Sequence, residues 1–352
     1  MVKLKDIAAQ AGVSVMTVSK ALRDEHDISA VTKTRLKLLA QQLGYVPDSG
    51  ARQLRTRKTR LFGVVVSSVA TPILSRVVLA IEEHAYQLGY DVVIAQTLDK
   101  PEREEACISR LMARRVDGLF IVPAYRMATE ARAYQELLMR RVPTVVLGHT
   151  AAFCKEFISV ETDDIQASCV ATRHLLELGH TRIAFISGPA ALPSTTERLE
   201  GYRRALREAN MDVDDRLVFQ ADGAVEDGAA TTLQMINERT DATAIQAVND
   251  FTAIGCVETL LKQGVRVPAD MSVVGFGDIL ICRHFRVPLT TLNQPKYRLG
   301  AAAVESMQQL LRGKPAETKR LPAELVVRES SGTPPATPVL QHLKTTGTEA
   351  SL

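Results

Sequence analysis

Leu4–Asp24 reads LKDIAAQAGVSVMTVSKALRD. Leu4, Ile7, Ala8 and Ala11 recur at helical spacing and share one face. Gly12 ends that run, where a residue without a Cβ takes positive φ freely. Ser14 is placed to cap a second helix. There Val15, Val18, Ala21 and Leu22 return to the apolar side, while Met16, Thr17, Ser19 and Lys20 face out. Two helices joined by a glycine-containing turn make a helix-turn-helix, which lays its second helix in the DNA major groove. On spacing alone, a generic amphipathic helix pair fits as well. After the polar EHDIS, a third helix is expected from about Ala30 to Leu43. Ser29 would cap it, Leu36, Leu39, Ala40 and Leu43 would face inward, and Gly44 would stop it.

The charge is distributed unevenly. The 352 residues sum to only +3, yet residues 1–60 hold 12 Lys and Arg against 5 Asp and Glu. That is a net of +7 in the head and −4 in the rest, the electrostatic footprint of nucleic-acid binding through the head. The five cysteines (Cys107, Cys154, Cys169, Cys256, Cys282) form no C-x-x-C pair. Scattered and odd in number, they read as buried free thiols of a reducing cytosol. No apolar run reaches the roughly 18 residues of a membrane span, and the polar, basic start lacks a signal-peptide core. The expectation is a cytoplasmic protein with no membrane partner.

From Leu61 the pattern changes. Short apolar runs alternate with amphipathic helical stretches: LFGVVV at 61–66, DVVIA at 91–95, GLFIV at 118–122, TVVL at 144–147. A second set follows with RIAFI at 182–186, RLVFQ at 216–220, AIQAV at 244–248 and SVVGF at 272–276. Strands apolar on both faces and separated by helices predict two α/β lobes, each a doubly wound parallel sheet. No catalytic constellation is visible. G-x-x-x-x-G-K-[ST], H-E-x-x-H and G-x-S-x-G are all absent, and the seven histidines show no metal-ligand spacing. The reading is a non-enzyme with no cofactor and no metal. An α/β enzyme with an accessory DNA-binding head lacks its nucleophile, and a transport-type solute receptor does not explain the basic head.

The residues DIAAQAGVS-x-x-TVSKAL resemble the head of the lactose-repressor (LacI-type) family of bacterial transcription regulators, and the resemblance runs to about residue 330. It implies an all-α helix-turn-helix head at 1–46 and a hinge helix and linker at 47–60. A two-lobed body like the periplasmic sugar-binding proteins (type I) would follow at 61–330. Lobe one would hold about 61–161 and 293–322, and lobe two about 163–289 and 323–330. The chain would cross between them near Glu161–Asp163, Leu289–Asn293 and Leu321–Leu325. Residues 331–352 (TPPATP, then a polar tail) are expected to be disordered. Val339, Leu340 and Leu343 are too few for the leucine-heptad tail of tetrameric relatives, which leaves a homodimer on a near-palindromic operator.

The family's pattern makes Val15 and Met16 base readers, with Lys20 one turn on. Lysine reaches guanine O6 and N7, and apolar groups meet thymine methyls. Lys5, Ser14, Thr17, Ser19, Ser29 and Thr32 stand where phosphate contacts and caps are made. In the hinge, Leu54 matches the leucine wedged into the minor groove, flanked by Arg52 and Arg55. A helix that short is marginal until a partner and DNA order it. The cleft positions map onto Thr71, Ile73, Arg198, Asn249, Gly277 and Gln294. Two departures stand out. Gly277 replaces the hydroxyl-gripping Asp of sugar-binding relatives, with Asp278 next to it, and no aromatic ring stands near Gly223. The loss of an acid, with Arg198 kept and Arg76 at the rim, tilts the expected effector from a sugar toward a sugar acid.

Overall fold

The computed structural model describes residues 2–45 and 58–343. Arg52, Leu54, Arg55 and the expected hinge helix lie outside the described residues. The chain divides into two compact units, Met1–Thr59 and Arg60–Leu352.

The first unit is three helices: α1 (Leu4–Ala11), α2 (Val15–Leu22) and α3 (Ala30–Gln42). Gly12 ends α1 at φ 66°, in the left-handed region. Ser14 caps α2 by accepting from Thr17 N at 3.0 Å, and Ser29 caps α3 by accepting from Thr32 N at 3.3 Å. Ile7, Ala8, Val18, Ala21, Leu36 and Ala40 close the small core. Val15 is not in it. It is 46 % exposed, on the outer side of the first turn of α2.

The second unit holds two six-stranded sheets. The first runs β1 (Leu61–Val66), β2 (Asp91–Gln96), β3 (Gly118–Ile121), β4 (Thr144–Leu147), β5 (Ile158–Thr162) and β11 (Lys319–Leu321), in the order β11-β5-β4-β3-β1-β2. Its pairs are all parallel. On one face lie α4 (Pro72–Gln87) and α11 (Lys296–Leu311), on the other α5 (Pro101–Ala113) and α6 (Arg132–Met139). The second sheet has β6 (Ile183–Ser187), β7 (Val218–Gln220), β8 (Ala244–Ala247), β9 (Ser272–Gly277), β10 (Thr290–Asn293) and β12 (Glu324–Val326), in the order β12-β10-β9-β8-β6-β7. Only β10 and β12 pair antiparallel. This sheet is covered by α7 (Asp164–Glu177) and α8 (Pro193–Glu208) on one face, and by α9 (Val225–Asn237) and α10 (Asp250–Lys262) on the other. With helices on both faces the inner strands β1, β3, β4, β6, β8 and β9 are buried on both sides, which is why they read as continuous apolar runs, while the edge strands β2, β7, β11 and β12 stay partly exposed.

The chain crosses between lobes after β5, after β10 and after β11. The second crossing falls at 294–295, later than the expected 289–293. Thr290–Asn293 is itself a strand of the second lobe, between β9 and β12. The pair of β-branched threonines suits a pleated position that hydropathy alone does not flag.

The C-terminal segment also differs from expectation. Residues 331–343 are packed on the second lobe. Gly332 N donates to Ser272 Oγ at 3.0 Å, and Ser331 Oγ lies 2.9 Å from His174 Nε2. Leu340 is fully buried in the core that contains Met235 and Leu260, with Val339 and Leu343 against it. Three apolar side chains after a proline-rich run are too few to carry a periodic signal, yet enough to fill a matching hollow. All five cysteines are buried free thiols.

Candidate functional site

The outer surface of α2 presents Val15 and Met16, the latter 63 % exposed. Two apolar groups held out in water at a capped helix start suit contact with a groove rather than a core. Lys20, one turn on, ion-pairs with Asp27. That hydrogen bond raises the Lys20 pKa and lowers that of Asp27. Lys20 therefore exchanges one partner for another on reaching a base. Ser14 and Ser29 spend their hydroxyls on caps, each also 2.9 Å from the hydroxyl of Thr17 or Thr32. Helix N-termini with such caps point N–H groups outward toward anions. Lys5 is exposed, and the carbonyl of Ser19 accepts from Arg23 Nε at 2.9 Å.

Between the two lobes lies a cavity of about 180 Å³. Ile73, Leu74 and Val77 of α4, with Leu147 and Leu299, supply an apolar wall. Asp164, Ser194 and Arg198 supply polar groups from the second lobe, and Gln294 stands at the second crossing. Of the six cleft positions expected, Ile73, Arg198 and Gln294 line this cavity; Thr71, Asn249 and Gly277 do not. Thr71 precedes α4 as its N-cap residue. Asn249 caps α10 with Oδ1 on Thr252 N (2.8 Å) and donates Nδ2 to Gly223 O (2.9 Å), so both ends of its amide are used. Gly277 has φ 137°, and a Cβ there would come 3.0 Å from Asp250 Oδ2.

Arg198 is held on three sides. Nε donates to Asp164 Oδ1 at 2.9 Å, Nη1 to Val248 O at 2.6 Å, and the guanidinium lies 3.7 Å from the Phe276 ring centre. The fork expected for two ligand oxygens is thus largely engaged within the chain. The Asp278 carboxylate, next to Gly277, pairs with Arg328 at 2.6 Å. Lys296 reaches the carbonyls of Gly277 and Asp278, and burial lowers its pKa. Arg76 is exposed.

His149, Asp164, Glu161, Thr162, Ser194 and Tyr125 were not expected from sequence, and all six line the cavity. Their usable signal is position, since Tyr125 and His149 follow β3 and β4, where a doubly wound sheet places ligand groups. His149, Asp164 and Glu197 also bring ligand-type atoms within 4.8 Å of one another. Arg198 and Arg320 already neutralise those carboxylates, so a cation would meet competing positive charge.

A three-helix DNA-reading head and a two-lobed α/β receptor with a cleft define a class: a regulator with a reader and a sensor on one chain. The chain matches the family model described as bacterial regulatory proteins, lacI family, over residues 3–48, and the periplasmic binding protein-like domain over residues 172–331. It is 30 % identical to the HTH-type transcriptional regulator DegA of Bacillus subtilis strain 168, over 93 % of this chain and 97 % of that protein. It is 29 % identical to the HTH-type transcriptional repressor CytR of Escherichia coli K12, over 93 % and 96 %. Among solved structures, a lac repressor dimer bound to operator and the anti-inducer ONPF superposes with a TM-score of 0.84 at 30 % identity, over 94 % of this chain and 99 % of that one. A complex of the regulator CelR with cellobiose superposes with a TM-score of 0.71, also at 30 % identity, over 94 % and 100 %. The chain belongs to the LacI-type family of bacterial transcription regulators, and its role is regulation rather than catalysis. No described helix is long and apolar enough to cross a membrane.

Proposed function

We propose that the protein is a cytoplasmic, homodimeric transcriptional repressor of carbohydrate-utilisation genes, switched by a sugar-type effector in the interlobe cleft. The observation that carries this is the joint likeness of reader and receptor to an operator-bound dimer, over 94 % of the chain. The head binds a near-palindromic operator, with Val15, Met16 and Lys20 on base edges and Lys5, Ser14, Thr17, Ser19, Ser29 and Thr32 toward phosphates. Arg52, Leu54 and Arg55 meet the minor groove at the centre of the operator. In the cleft Ile73, Arg198 and Gln294 meet the effector directly, and Thr71, Asn249 and Gly277 shape its surroundings. The charges around the cavity cancel within the chain, and this favours a neutral sugar over a sugar acid. Effector and operator affinities are linked reciprocally, by about 1–3 kcal/mol in typical cases.

Selection of operator sequences from random duplex DNA, followed by titration of the selected site, tests the reading. The expected result is an inverted repeat, bound more weakly by Lys20→Ala, with affinity shifted by one of a panel of neutral sugars. Binding with no preference for any repeat over random duplex at moderate salt would overturn it.

A further inference from the structure

Three carboxylates meet beside the cavity: Glu161 of β5, Asp164 of α7 and Glu197 of α8. Three basic groups face them. Arg198 Nε is 2.9 Å from Asp164 Oδ1. Arg320 lies between Glu161 (Nε to Oε1, 2.6 Å) and Glu197 (Nη2 to Oε1, 2.7 Å). His149 is the third. Its Nε2 is 2.6 Å from Asp164 Oδ2, and its Nδ1 is 3.1 Å from Glu161 Oε2 and 3.7 Å from Glu197 Oε1. His149 and Arg320 belong to the first lobe, and Asp164, Glu197 and Arg198 to the second. The cluster therefore ties one lobe to the other.

A neutral imidazole carries one N–H, so it cannot donate from both nitrogens. Both His149 nitrogens face carboxylates at hydrogen-bonding distance, and the buried ring satisfies them only as the cation. With that cation the cluster balances at three negative and three positive charges. Without it one negative charge has no counterpart where water is scarce, a costly arrangement. Glu197 Oε2 is already buried with no hydrogen-bond partner. Water relieves the imbalance, and water enters when the lobes part.

We infer that His149 is a proton-held bolt across the cleft, closing the lobes while its ring is cationic and releasing them when the proton leaves. Burial pulls its pKa down, but the hydrogen bonds and charges of Asp164 and Glu161 outweigh that and lift it to about 9. Tyr125, whose hydroxyl donates to His149 O at 2.6 Å, is pushed well up by burial, and the Cys154 thiol to about 11. Glu104 and Arg126 behind Tyr125 pair with each other at 2.8 Å. Asp164 is kept below the ordinary carboxylate range despite its burial, by Arg198 and His149. The bolt sits beside the crossings after β5 and β11, and the sheet orders place β2 and β7 at the opposite edges. A small release at the bolt is therefore largest at that far rim.

The inference rests on the two-lobed receptor reading, and its test uses neither DNA nor effector, so either can fail alone. Spin labels are placed at Glu102→Cys and Glu226→Cys, exposed first-turn positions of α5 and α9 that follow β2 and β7. The native cysteines are buried. Pulsed electron paramagnetic resonance on the full chain then reads the distance across the rim from pH 7 to 10. It should lengthen with a midpoint near pH 9. His149→Gln should show the long distance already at pH 7. His149→Arg, a cation that does not titrate, should hold the short distance throughout. A label pair within one lobe should not change. An invariant distance in the wild type, or the same pH transition in His149→Arg, would overturn the inference.

Discussion

Leu340→Ala tests whether the C-terminal segment is part of the receptor core. The side chain is fully buried and belongs to the cluster around Met235, Cys256 and Leu260. The change removes three carbon groups, which at about 0.8 kcal/mol each gives roughly 2.4 kcal/mol of lost transfer energy. The hollow left in the core beside α9 adds a cavity cost, so the total falls within the ~2–5 kcal/mol seen for buried Leu→Ala changes. For a body of this size each kcal/mol moves the midpoint by about 2–4 °C, so a drop of roughly 4–20 °C is expected. The chain has no tryptophan, so circular dichroism is the suitable signal for the melt. Ending the chain after Gly332 should cost at least as much, because Val339 and Leu343 leave with Leu340. Val257→Ala, in the same core, serves as a positive control. If Val257→Ala lowers the midpoint while Leu340→Ala leaves it within about 1 °C, the docked segment is wrong.

Other residues give equally direct outcomes. A methyl group on Gly255 would lie 1.9 Å from Val225 O, so Gly255→Ala must force α9 and α10 apart and should cost several kcal/mol in the same melt, or abolish soluble expression. Ser14→Ala removes the α2 cap and should destabilise the isolated head by about 1 kcal/mol, read by helix content against temperature. Arg198→Lys keeps the charge but loses the planar grip on Asp164 and Val248 O; it should weaken effector binding by calorimetry and leave operator affinity without effector near wild type. His149 has a folded pKa near 9 against an ordinary 6.5, so its stabilisation is complete below pH 6.5 and is lost as pH rises through 9. The loss is on the order of 3 kcal/mol at most, at about 1.36 kcal/mol per pH unit. Urea midpoints should therefore decline over that window in the wild type and decline less in His149→Arg.

Most of the architecture was legible because the relevant signals are local. Gly12, Ser14 and Ser29 mark the ends of helices in the head through backbone geometry that needs no distant partner. The strand runs of both lobes announce themselves by being apolar on both faces. β5, β10, β11 and β12 did not, because Ile158–Thr162, Thr290–Asn293, Lys319–Leu321 and Glu324–Val326 gain their place by pairing with neighbouring strands, and not by hydropathy. Leu340 was invisible for a related reason: its burial depends on a hollow built from residues about 80 to 105 positions away.

The cleft was legible residue by residue but not as a charge set. Arg198 taken alone suggests an anionic ligand, since a buried guanidinium calls for a counter-charge. The structure supplies that counter-charge from Asp164, which belongs to no motif and stands 34 positions from Arg198. Asp164 in turn is shared with His149, and Glu161 and Glu197 are shared with Arg320. An acidic effector would have to displace a carboxylate from Arg198 or draw Lys296 away from the Gly277 and Asp278 carbonyls. A neutral polyol needs neither step, since it can donate to Asp164 and accept from Gln294 without altering the balance. The net charge of a buried site is thus a property of the closed ring of partners. Gly277 brings no acid to that ring, and the three acids at the lobe interface are already matched by Arg198, Arg320 and His149.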